Sequence, residues 1–112
     1  MKFIFKIKIK DGHTEQEYID AWKKGSTVIQ KSVGAKGTVL HRKIGEPGIL
    51  IAIAEWESKE LRDIAMKKLG SNSELQVVLN NHKEFGETEI LGHFEEIEIV
   101  EPILKDGGAI ES

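Results

Sequence analysis

Cysteine is absent from these 112 residues, which excludes a disulfide framework and any thiolate chemistry. No apolar run approaches the ~20 residues that a membrane-spanning helix needs. The N-terminus has no uninterrupted apolar stretch of the signal-peptide kind, because lysines break it at every second position from Lys6 to Lys10. The expectation is a cytoplasmic protein with no membrane partner. A basic excess is also missing: 16 Lys and Arg stand against 19 Asp and Glu, a net charge of -3. Nucleic acid is therefore not an expected partner, since its binders usually show a cationic footprint. The four histidines lie far apart, with no His-x-x-x-His or His-x-x-x-Glu pair backed by a further ligand, so no metal site is expected. The glycine-rich stretches match neither phosphate-loop nor dinucleotide fingerprints, and no cofactor is expected. There is no internal repeat or low-complexity segment.

What remains is an ordinary globular composition, 39% hydrophobic and 31% charged. A chain of this length buries roughly 65% of the surface it exposes when unfolded, enough for one core. We expect a single domain over residues 1–104 and a flexible tail over 105–112, although a tail strand reaching a partner subunit is an alternative.

The opening FIFKIKIK alternates Phe3, Phe5, Ile7 and Ile9 with a mostly lysine face, the period of a strand. Thr14 and Glu17 then form a capping box for a helix from about Glu15 to Val33, with Tyr18, Trp22, Ile29 and Val33 on one stripe. Gly25 weakens it by about 1 kcal/mol relative to Ala, and Gly34 is placed to end it. TVLHRKI and ILIAIAEW read as a hairpin around GEPG. Ser58 caps a second helix with Leu61, Ile64, Ala65 and Leu69 inward. GSNS breaks that helix, and Ser73 with Gln76 restarts it as ELQVVLNNHKEF. The last strand spans TEILGHFEEIEIVEPI, with a bulge near Glu95 and Glu96 to bring Ile90, Phe94, Ile97 and Ile99 to one face.

The order β-α-β-β-α-β, with the second helix in two pieces, is an α+β ferredoxin-like sandwich with an antiparallel four-stranded sheet. Its first strand is central. Phe3, Phe5, Ile7 and Ile9 then face the helices, and Lys6, Lys8 and Lys10 lie on the open face beside Glu96 and Glu98.

GAKGTVLHRKIGEPGILIAIAEWES, followed by a helix ending NNHKEF, resembles the antibiotic biosynthesis monooxygenase domain family over about residues 3 to 101. The most characteristic pieces are Leu40, His41 and Arg42, the run from Ala54 to Ser58, and His82 to Phe85. The resemblance implies two subunits pairing their open sheet faces into a dimeric α/β barrel. It also implies cofactor-free oxygenation of aromatic or quinol-like molecules, or haem degradation, among the activities. The haem-degrading branch combines a histidine matching His82 with a first-strand asparagine and a second-helix tryptophan. Ile7 holds the strand position here, and no aromatic residue lies between Trp56 and Phe85, so haem degradation is not expected.

His82 continues the stripe of Leu75, Val78 and Leu79 at helical spacing, which aims it at the sheet face carrying Phe5 and Ile7. It reads either as a general base or as a core-edge histidine bonded to a backbone carbonyl. Phe5, Ile7, Trp22, Leu79 and Trp56 are the candidate walls of a pocket for a small apolar or aromatic molecule. His41 and Arg42 face opposite sides of their strand, so either could line it, and His93 lies beside Gly92, where room is left for a ligand or a twist. Two functions stand: a cofactor-independent monooxygenase using His82, and a non-catalytic dimeric barrel that binds a small apolar ligand.

Overall fold

Thr14 accepts a hydrogen bond from the Glu17 amide at 3.1 Å, and Glu17 accepts one from the Thr14 amide at 2.9 Å. That reciprocal cap starts α1 (Glu15–Ile29) after β1 (Lys2–Ile9). The computed structural model describes residues 1–105 and 108–109, the last four of these by backbone alone. There follow β2 (Ala35–Arg42), β3 (Ile49–Trp56), α2 (Lys59–Leu69), α3 (Ser73–Phe85) and β4 (Gly86–Phe94). The sheet is antiparallel with order β2-β3-β1-β4, so β1 is central. All three helices cover its Phe3–Ile7 face, where Ile7, Tyr18, Leu50 and Ala52 form one buried cluster and Phe3, Trp56 and Ala65 another. Two-residue β5 (Leu104–Lys105) and β6 (Gly108–Ala109) pair with each other; the rest of the expected tail over 105–112 lies outside the described residues. Among the described residues no helix is long and apolar enough to cross a membrane.

Several boundaries differ from the sequence reading. α1 stops at Ile29 rather than Val33, because Lys31 and Ser32 donate back to the carbonyls of Val28 and Ile29, tightening the last turn out of α geometry. Val33 is consequently 77% exposed. α3 is capped by Asn72 rather than Ser73, since the Asn72 carboxamide oxygen accepts from the Leu75 amide at 2.9 Å. In α2 Ile64 faces outward at 50% exposure, and Ala65 is the buried residue.

The largest difference is in β4. Ile4 pairs with Gly92 and Phe5 with Ile90, so the bulged residue is Leu91, not Glu95 or Glu96. Gly92 carries φ +121, a backbone conformation that side-chain-bearing residues rarely adopt, and supplies the twist at the bulge. The strand ends at Phe94, which pairs with Lys2; β1 has no earlier strand residue left to offer. Residues 95–103 therefore leave the sheet, with Ile97 and Val100 fully open to solvent. The partners opposite Lys6 and Lys8 are consequently Glu89 and Glu87, not Glu96 and Glu98. Lys10 lies beyond the strand and donates to the Lys83 carbonyl at 2.6 Å, where a cation suits the C-terminal end of α3.

Candidate active site

Between the helices and the sheet lies a cavity of about 190 Å³. Its floor is Phe3 and Phe5 of β1 with Ala54 and Trp56 of β3. α1 contributes Trp22, Ser26 and Ile29, α2 contributes Arg62 and Met66, and α3 contributes Leu75, Leu79 and His82. The walls are apolar because the inward stripes of three helices converge on alternate residues of two central strands.

His82 is half-buried on the last turn of α3. Its ring lies 5.2 Å from that of Tyr18, itself buried against Ile7. Gly25 lies close to α3: a Cβ there would stand a tight 3.2 Å from Val78 Cγ1 and 3.5 Å from His82 Cε1. The glycine that weakens α1 thus eases the approach of α3 at Val78, while the His82 contact would be an ordinary one. Burial lowers the His82 pKa from its ordinary value, opposed by the nearby Ala21 carbonyl, which favours the protonated ring. Nε2 is shielded from solvent and has no hydrogen-bond partner among the described residues. A neutral imidazole with an unused nitrogen beside an apolar cavity can accept a proton from a bound molecule. Tyr18 cannot compete for that role, because burial pushes its phenol up to about 12.

The expected wall residues divide. Phe5, Trp22, Trp56 and Leu79 line the cavity with His82. Ile7 does not: it is wholly enclosed one strand position further along, between Tyr18 and Leu50. His41 is exposed on β2 with Val39, on the open face. Its neighbour Arg42 turns the other way and donates to Glu15 at 2.6 Å, tying the hairpin to the start of α1. Glu15 also accepts from the Gly48 amide, and these two bonds hold its carboxyl below the usual range. His93 stays outside the cavity; its ring packs 5.0 Å from Phe3 and its Nε2 lies 3.3 Å from Arg62 Nη1.

The sequence reading missed Arg62 and Met66. The signal was present: Arg62, Ala65, Met66 and Leu69 follow i, i+3, i+4, i+7 spacing, but a charged residue at the head of the stripe masked it. Ser26 and Ile29 were equally legible, one and two turns on from Trp22. Among the described residues no three His, Asp or Glu side chains are grouped to hold a metal ion.

No family model matches the chain, and no curated protein matches it in sequence. Solved structures do. The cofactor-independent oxygenase SnoaB from Streptomyces nogalater superposes with a TM-score of 0.74 at 11% identity, covering 89% of this chain and 96% of its own. The chain has the fold of the antibiotic biosynthesis monooxygenases. A Bordetella bronchiseptica protein assigned to that group gives a TM-score of 0.63 at 16% identity, over 88% of this chain and 96% of its own. One from Caulobacter crescentus gives 0.61 at 14%, over 84% and 89%. Within this fold, the cavity under the helices is the apolar space that His82 lines.

Proposed function

We propose that this protein is a cofactor-independent monooxygenase of a small aromatic or quinol-like substrate, with His82 as the general base. The observation that carries the reading is His82, neutral and with an Nε2 that has no hydrogen-bond partner among the described residues, in the lining of an apolar cavity. The fold shared with SnoaB, a cofactor-independent oxygenase, supports it. His82 takes the proton of a bound phenol, and the phenolate passes one electron to dioxygen. The aryloxyl radical and superoxide combine at a ring carbon. The resulting hydroperoxide loses water to leave a quinone: one oxygen atom enters the ring, and the other departs with the phenol proton and the ring hydrogen. The apolar walls raise the energy of neither neutral reactant and keep bulk water from quenching the radical pair.

The reading includes a homodimer formed through the open face of the sheet. Support comes from the uncovered Val39 and Phe94 on that face and the exposed Ile97, Ile99, Val100 and Ile103 just beyond it. The radius of gyration, 16.7 Å, also exceeds the roughly 13 Å of a compact chain this long, as a projecting segment requires. The alternative, a non-catalytic binder of a small apolar molecule, is favoured by two features: the Ala21 backbone carbonyl lies beside the His82 ring as it would for a structural histidine, and among the described residues no carboxylate orients that ring, as one does in many histidine bases.

The test is oxygen uptake with a panel of hydroxynaphthalenes and hydroquinones. His82→Gln should lose about 100- to 10,000-fold in turnover. Wild-type kcat/KM should be flat from pH 7 to 8 and fall only as pH drops through the lowered His82 pKa. An unchanged rate in His82→Gln removes the base from the mechanism; no uptake with any substrate leaves the binder.

A further inference from the structure

Arg62 is a half-buried cation that belongs to none of the ion pairs among the described residues. Its sequence neighbour Asp63 is taken by Lys59 at 2.8 Å. The guanidinium carbon sits 3.6 Å over the Phe3 ring, and Nη1 faces His93. Nε is cut off from solvent with no acceptor within reach. Burying a guanidinium without a carboxylate is costly, and desolvation acts on this one. With His82 neutral, Arg62 is the only charged residue lining the cavity among the described residues. The two residues that carry buried side-chain nitrogens without partners among the described residues, Arg62 (Nε) and His82 (Nε2), both line this cavity.

They mark different ends of it. Arg62 covers Phe3, while His82 stacks on Tyr18, which packs on Ile7. Phe5 lies on the floor between them, its ring 5.9 Å from that of Phe3. A cavity of about 190 Å³ suits one or two rings, since an apolar cavity of about 150 Å³ accepts benzene. We infer that the ligand is an aromatic acid, a one- or two-ring phenol or hydroquinone whose carboxylate is held by Arg62 while its hydroxyl, at the far end of the ring system, meets His82. The guanidinium fork matches a carboxylate, so Arg62 is a specificity-determining residue. This inference rests on the cavity being the substrate site and deepens that reading.

The probes are 6-hydroxy-2-naphthoate, which carries its two oxygen functions at opposite ends, and 2-naphthol, which lacks the carboxylate. Both are titrated by fluorescence into the full-length protein. Wild type should bind the naphthoate at least about tenfold more tightly than the naphthol. Arg62→Met should abolish that preference, and Arg62→Lys should keep part of it. Should Arg62→Met fail to fold by circular dichroism, Arg62→Gln serves as the same deletion of charge, and the wild-type preference stands as a separate reading. Equal binding of the two probes, binding of neither up to millimolar concentration, or a preference that survives removal of the Arg62 charge overturns the inference. A preference abolished with that charge but unaccompanied by oxygen uptake upholds Arg62 as the acid-binding residue and removes only the oxygenase reading.

Discussion

Replacing His82 by leucine should make the protein more stable while abolishing any chemistry that depends on its imidazole. Three contributions set the size. Removing a buried nitrogen that has no partner relieves about 1–3 kcal/mol of desolvation cost. Losing the ring that packs 5.2 Å from Tyr18 takes back about 0.5–1.5 kcal/mol. Leucine adds a few tenths of a kcal/mol through its better helix propensity in α3. The net gain is roughly 1 kcal/mol, equivalent to a rise in Tm of about 3–6 °C for a domain of this size. The gain also has a pH dependence of definite sign. The folded-state pKa of His82 lies below its ordinary, unfolded value near 6.5, so between the two values the unfolded chain binds more protons. Wild type therefore has its full stability above about pH 6.5 and loses part of it as pH falls through the folded pKa; His82→Leu does not. The variant's advantage should widen between pH 7.5 and pH 5.5. Differential scanning calorimetry at those two pH values reads both effects. A variant that melts 3 °C or more below wild type at pH 7.5 would show that His82 makes a stabilising interaction, and the case for a residue kept for its chemistry would fall.

Gly86→Ala tests the packing beneath the site: its Cβ would lie 2.7 Å from Ile7 Cγ2 and 3.2 Å from Tyr18 Cδ2, and overpacking of about 1–3 kcal/mol should lower Tm by about 3–18 °C, whereas an unchanged melt would refute the close approach of β4 to that core. Sedimentation at micromolar concentration should find a dimer, and Ile97→Asp with Val100→Asp should shift it towards monomer; a wild-type monomer would reject the proposed assembly. Haem added with a reductant should yield no stoichiometric Soret band and no ring-opened product, because Ile7 stands at the strand position where the haem-degrading branch has asparagine, and because about 190 Å³ is small even for a drug-sized ligand.

Local patterns carried much of the architecture. Period-2 alternation over Phe3–Ile9, the hairpin signal of GEPG before the apolar run ILIAIAEW, the Thr14–Glu17 capping box, and the break at GSNS each depend on residues a few positions apart, so they are readable without the fold. The same holds for the direction of His82, which follows from its spacing to Leu75 and Leu79. Register depends instead on which strand has residues left to pair. Phe94 is the end of β4 because Lys2 is the start of β1, a meeting of positions more than ninety residues apart, and the alternating apolar pattern beyond Phe94 could not announce that its partner had run out. The bulge at Leu91 and the true partners of Lys6 and Lys8 follow from that same register. The burial of Arg62 was hidden for a related reason. A charged residue on a helix is normally solvated, and only the placement of Phe3 beneath it turns its position in the stripe into a place at the cavity wall. Whether convergent stripes leave a void or fill it is a matter of side-chain volumes summed across six elements, β2 adding Thr38 to the lining, which no linear spacing contains; the tertiary structure alone decided that His82 and Arg62 share one cavity.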